Sequence, residues 1–97
     1  MRLRYTTEAL THLEAINDFI SERNPAAARR IAAEIRMAAQ RLSEFPHIGR
    51  AGDAVGTRQW VVRRSPYLII YEVDQAADEI LVIGVFHGAQ DWQENLK

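Results

Sequence analysis

Cysteine is absent from this 97-residue chain, lysine occurs once, and no apolar run approaches the ~18 residues that span a bilayer. Without cysteine there is neither a disulfide framework nor a thiolate metal site. Without a long apolar run no membrane contact is expected. Met1-Arg2-Leu3-Arg4-Tyr5 has no apolar h-region, so no secretory signal is expected and a cytoplasmic protein is the simplest reading. The histidines, His12, His47 and His87, lack close ligand spacing, so no metal is expected. Gly49, Gly52 and Gly56 match neither the dinucleotide nor the Walker pattern, and Ser21, Ser43 and Ser65 form no nucleophile elbow. No cofactor is implied.

The charge balance is equally sparing. A net charge of −1 gives no global attraction to nucleic acid, so no direct nucleic-acid binding is expected. The basic residues are nevertheless unusual, because 11 of 12 are arginine. Arg50, Arg58, Arg63 and Arg64 stand between residues 50 and 67 against the single acid Asp53. Arginine presents a planar fork suited to carboxylates and phosphates, but it almost never gives up its proton. Such a patch binds anions well and is short of general bases. The alternative is a solvated sheet edge carrying solubilising charge.

What is present reads as one small domain, residues 1–97. A chain of this length buries roughly 60–65% of its unfolded surface, so its core is modest. Arg2-Leu3-Arg4-Tyr5 alternates like a short strand. Thr6 or Thr7 can cap a helix over about residues 7–22, with Leu10, Leu13, Ile16 and Ile20 as its apolar stripe. Asn24-Pro25 starts a second helix bearing Ala28, Ile31, Ile35, Ala38 and Leu42 on one side. The short gap between them predicts an antiparallel helical hairpin. Pro46 and Gly49 end the helical region, and residues 51–57 are a small-residue loop. Strands are expected at about 58–64, 67–73 and 79–86, joined by short breaks as an antiparallel meander. The order β-α-α-β-β-β predicts an α+β fold, with an N-terminal strand and the hairpin packed on one face of the β-meander.

Parity assigns the faces. Trp60, Val62, Ile69 and Tyr71 should meet the helices, with Trp60 in the core, while Gln59, Val61, Arg63, Leu68, Ile70 and Glu72 point away. Val61, Leu68 and Ile70 make that second face apolar for a solvated surface, which predicts a partner, or else a loop or tail of the same chain, lying over it. A charge at Leu68 is then expected to weaken the partner complex. His12 is expected at a helix surface and His47 in a turn without a partner. His87, at the exit of the last strand, is open to a structural, a partner-binding or a catalytic role. Trp92 either clamps the tail or anchors a partner.

Several segments in fixed order resemble one family. These are the strand ending in Tyr5, the helix pair, Phe45-Pro46-His47-Ile48-Gly49-Arg50, Arg58, Pro66-Tyr67-Leu68-Ile69-Ile70-Tyr71, and Val85-Phe86-His87-Gly88-Ala89-Gln90-Asp91-Trp92. Together they resemble the RelE/ParE toxin superfamily over almost the whole chain. The resemblance implies the toxin half of a type II toxin–antitoxin pair, held inactive by an antitoxin whose C-terminal segment wraps it. RelE-like members cut messenger RNA on the ribosome; ParE-like members poison DNA gyrase. Where RelE has two lysines this chain has Gln59 and Val61, and where RelE has an arginine after the tyrosine it has Leu68. RelE's basic cluster after the last strand is replaced by His87-Gly88-Ala89-Gln90, and its tail tyrosine has no counterpart. Losing those groups removes proton-transfer and electrostatic terms of roughly 10²–10⁴-fold.

The resemblance therefore implies a ParE-like, non-enzymatic toxin, with DNA gyrase as target and a ParD-like antitoxin as neutraliser. An antitoxin helix is expected in the helical-hairpin groove and an extended portion across the sheet's open face or edge. Arg58, Val61, Arg63, Leu68, His87, Gln90 and Trp92 are the implied antitoxin- or target-binding residues. Gln90 stands where ParE-like chains often carry arginine. The rivals are a ribosome-dependent endoribonuclease using His87 with arginines, and a non-toxic component that only binds antitoxin.

Overall fold

The computed structural model describes residues 1–88. Its elements are β1 (Arg2–Tyr5), α1 (Thr7–Ser21), α2 (Pro25–Glu44), β2 (Arg50–Ala51), β3 (Arg58–Val61), β4 (Tyr67–Asp74) and β5 (Glu79–His87). Both helix starts follow the expected capping chemistry. Thr6 Oγ1 accepts from the Ala9 N–H at 3.1 Å, and Asn24 Oδ1 accepts from the Ala27 N–H at 3.1 Å with Pro25 in the first turn. The Asn24 cap satisfies an otherwise orphaned donor, so Asn24→Ala should cost about 1 kcal/mol in urea unfolding; an unchanged midpoint would show that the cap is dispensable.

The sheet is mixed rather than a pure antiparallel meander. Strand order is β1-β5-β4-β3-β2, with β3, β4 and β5 antiparallel as expected and β1 parallel to β5. The two strands cannot be a hairpin, because the whole helical layer and three strands separate them in sequence. β3 stops at Val61, short of the expected residue 64, because Arg64 takes a positive φ of 61° and turns the chain. Arg50 and Ala51, where the expected loop begins, pair with Gln59 and Arg58 and form the extra strand β2. The β4–β5 turn uses Asp74, whose carboxylate accepts from the Ala77 N–H at 3.0 Å.

The core lies between α2 and the sheet. Ile31, Ile35, Ala38, Ala39 and Leu42 pack with Val62, Ile69, Tyr71, Ile80, Val82 and Val85. Only Ala9 of α1 is fully buried. Leu13, Ile16 and Ile20 are half-buried, and Leu10, expected on the same stripe, is 53% exposed. A bulge interrupts β5: Tyr71 pairs with Val82 but Ile70 with Gly84, so Ile83 is an added residue. Gly84 leaves room for the Phe86 ring, whose Cζ would lie 2.9 Å from any Cβ built there. No helix among the described residues is long and apolar enough to cross a membrane.

Candidate functional site

Among the described residues, the edge of β3 is left open at Val61. The Val62 N–H donates to the Tyr67 carbonyl at 2.9 Å, so Val62 faces β4. Alternation along an antiparallel ladder then turns the backbone N–H and C=O of Val61 outward. β2 covers only Arg58 and Gln59, so among the described residues no strand lies beyond Val61, whose side chain is 66% exposed. Beside this edge runs a groove of about 700 Å³ between β3 and the C-terminal half of α2. Met37, Trp60 and Val61 give it apolar walls; Arg41, Arg63 and Arg64 line it together with Glu34 and Glu44. Met37 is 59% exposed, although methionine usually fills cores. Arg41 also stacks over the exposed Phe45 ring at 5.2 Å.

A second groove, about 320 Å³, lies on the other flank of α2 against α1. Leu13, Ile16, Ala28, Ile31, Ala32 and Ile35 line it, with Tyr5, Asn17 and Arg36 supplying its polar groups. Ala28 and Ala32 contribute only methyl groups to its wall, so the gap stays unfilled. Burial pushes the Tyr5 phenol up in pKa, against the pull of Arg36, so its hydroxyl remains a donor.

The turn that carries the basic strip is fastened from inside the sheet. The fully buried Tyr71 hydroxyl donates to the Pro46 carbonyl at 2.9 Å and accepts from the Gly49 N–H at 3.0 Å. An Arg58 Nη donates to the Gly49 carbonyl at 2.9 Å. With the Gln59 amide turned so that its oxygen faces the Arg50 guanidinium, the orientation that its donors and acceptors require, Arg50 Nε donates to that oxygen at 2.8 Å, and its Nη2 to the same oxygen. His47 has a partner after all: its Nε2 lies 3.3 Å from Gln75 Nε2.

The sequence-predicted residues are therefore not one cluster. Val61 and Arg63 stand exposed beside the α2 groove. Arg58 is half-buried and bonded to the turn. Leu68 lies on the predicted face, opposite Val61 in register, but the expectation that it is uncovered fails. Leu68 is 9% exposed and Ile70 fully buried, in a cluster with Phe86 against which Ala54 of the 51–57 loop and Ile83 pack. The same chain supplies that cover, so a charge at Leu68 would disturb the fold before it tested a partner. His87 is exposed at the end of β5, with its ring edge-on to Tyr67 at 5.6 Å. Gln90 and Trp92 lie outside the described residues. Trp60, expected in the core, is half-buried and shared between core and groove. No group of histidine, aspartate and glutamate suited to a metal ion occurs among the described residues.

Residues 3–92 match the family described as the ParE toxin of the type II toxin–antitoxin system, parDE. The chain belongs to the ParE toxin family. Its relatives include Y4kP of Sinorhizobium fredii, 35% identical over 95 residues, which are 98% of this chain and 96% of the relative. Another is the toxin RelE2 of Caulobacter vibrioides, 37% identical over 87 residues, covering 89% and 93%. Among solved structures, the chromosomal ParDE toxin–antitoxin system of P. aeruginosa superposes with a TM-score of 0.79 at 23% identity, covering 90% of this chain and 95% of the other. A mutant E. coli toxin RelE in complex with a peptide of the antitoxin RelB gives 0.66 at 17%, covering 99% and 94%. At these identities the structures share the fold alone. The ParE-family assignment makes the chain a type II toxin of the RelE/ParE superfamily. Sequence reasoning missed the α2 groove and the Tyr71 clamp. The available signal for the groove was Met37, an apolar residue off the Ile31–Ile35–Leu42 stripe.

Proposed function

We propose that this ParE-family toxin works by being gripped rather than by cutting: it inhibits DNA gyrase through binding and is neutralised by a ParD-like antitoxin. The observation that carries this reading is the open β3 edge beside a roughly 700 Å³ groove, with three arginines lining it. An extended antitoxin segment can add to the outward-facing backbone of Val61, with acidic side chains towards Arg63 and Arg64. The apolar slot between α1 and α2 suits anchors from an amphipathic antitoxin helix. Support for a non-enzymatic toxin comes from the residues at the RelE-type positions. Gln59 is a buried amide bonded to Arg50, Val61 is an exposed aliphatic and Leu68 is buried, and none of these moves a proton.

Two assays on the purified chain test the target. In a supercoiling assay, gyrase should lose activity as toxin is added and regain it when antitoxin is supplied. Mapping of ribosome-bound message should show no new cuts. Message cleaved in the ribosomal A site with gyrase unaffected would replace this reading with a RelE-type nuclease. Inertness in both assays would leave antitoxin binding as the chain's role.

A further inference from the structure

The outer edge of β5 is covered by two different means. From Glu79 to Val82 it pairs with β1 in parallel register. Beyond Tyr5 the chain turns into α1, and among the described residues no strand lies against 83–87 on that side. Groups from the strand–helix junction and α1 take over there. The Thr6 N–H donates to the Val82 carbonyl at 3.0 Å, and the Thr6 hydroxyl donates to the Ile83 carbonyl at 3.4 Å. Nearly two helical turns further along α1, the Val85 N–H donates to His12 Nδ1 at 3.3 Å. The His12 ring also lies tilted against Phe86, centroids 4.6 Å apart. His12 was expected to be a plain surface residue; it is half-buried and accepts a bond from this edge.

We propose that His12 is a protonation-gated latch on the half of β5 beyond β1: the neutral ring seals the Val85 amide and packs on Phe86, and the protonated ring gives up both contacts. Nδ1 accepts a hydrogen bond only while it carries no proton. In the imidazolium both ring nitrogens are donors, so an N–H would face the Val85 N–H with no acceptor between them. From β5 the ring meets the uncharged Val85 amide and Phe86; on its own helix the charged neighbour is Glu8, one turn earlier. Burial holds the His12 pKa below 6.5, with Glu8 pulling the other way. The stability carried by the neutral ring is therefore complete above pH 6.5 and is lost as pH falls through the lower folded-state value. Release reaches beyond one bond, because Phe86 packs with Leu68 and Ile70, next to the end of β5 at His87. The latch is independent of which target the toxin binds.

Amide hydrogen exchange on the full chain, read by NMR as protection factors, tests it. Between about pH 7.5 and about pH 5 the Val85 amide should lose about tenfold or more in protection, with a midpoint matching the His12 ring titration. The Ile69 amide, in the middle of the sheet, should keep its protection. His12→Gln retains an acceptor that does not titrate, so its Val85 protection should be flat over the same range. Val85 protection that is unchanged with pH in the native chain overturns the latch, as does a loss that persists in His12→Gln. If that variant does not fold, the match or mismatch between Val85 protection and the His12 ring titration in the native chain decides alone.

Discussion

Tyr71→Phe should lower the free energy of unfolding by about 3 kcal/mol, for the removal of one oxygen. The ring would stay in place, since Tyr71 is fully buried in the main core. The oxygen, however, is the partner of two main-chain groups in the turn after α2, the Pro46 carbonyl and the Gly49 N–H. A buried donor or acceptor left unpaired costs about 1–3 kcal/mol, and this change orphans one of each. Burial raises the Tyr71 pKa, opposed by the Gly49 N–H bond and by Arg58, so the hydroxyl keeps its proton and its donor role through the neutral range. Gly49→Ala should damage the same joint from the other side. A Cβ there would sit 2.8 Å from Tyr71 Cε1 and 2.9 Å from the Gln59 carbonyl, closer still to the Tyr71 hydroxyl. Neither the core ring nor the β3 backbone can yield cheaply, and overpacking of this kind costs about 1–3 kcal/mol. Urea unfolding followed by tryptophan fluorescence measures both. A loss under about 0.5 kcal/mol for Tyr71→Phe would mean that the hydroxyl does not hold the turn. Because Arg58 bonds to Gly49 and Arg50 opens β2, loosening this turn should also unsettle the basic strip.

Local chemistry made most of the elements readable. Asn24-Pro25 and Thr6 act within three residues of themselves, so both helix starts stand where the sequence puts them. β4 and β5 were readable because long apolar runs bounded by turn residues have few alternatives. The partner of β1 was not, because a parallel pairing of Leu3 with Ile80 leaves no local trace. Parity identified the face carrying Val61, Leu68 and Ile70 but could not say what lies over it. Ala54, a small residue in a small-residue loop, gives no hint that it packs on that cluster. The bulge at Ile83 likewise shifts side-chain parity by one residue within β5, a slip that no apolar pattern marks. Tyr71 and His12 exert their effects through bonds to main chain 25 and 73 residues away. Their type was visible in sequence, their partners were not.

Val61→Pro should leave the toxin folded and weaken the antitoxin complex by more than about tenfold, the largest effect expected from a single surface position. The N–H of Val61 points away from β4, so proline removes no bond of the β3–β4 ladder; the inward bonds at Val62 remain. The side chain is exposed, so little apolar burial is lost. Trp60, the residue before it, already has the extended backbone that a following proline requires. What proline does remove is the donor that an added strand would use, and its ring obstructs close approach to the edge. Circular dichroism and urea unfolding should therefore differ little from the parent chain, while calorimetric titration with a ParD-like antitoxin should show the weaker dissociation constant. Arg63→Ala, by contrast, should reduce affinity modestly and chiefly at low salt, because a rim charge steers association more than it holds the complex. A folded Val61→Pro chain that binds antitoxin with unchanged affinity would place the antitoxin elsewhere on the toxin, with the slot between α1 and α2 as a second apolar groove among the described residues. The two substitutions thus separate strand addition from simple charge attraction at the same edge.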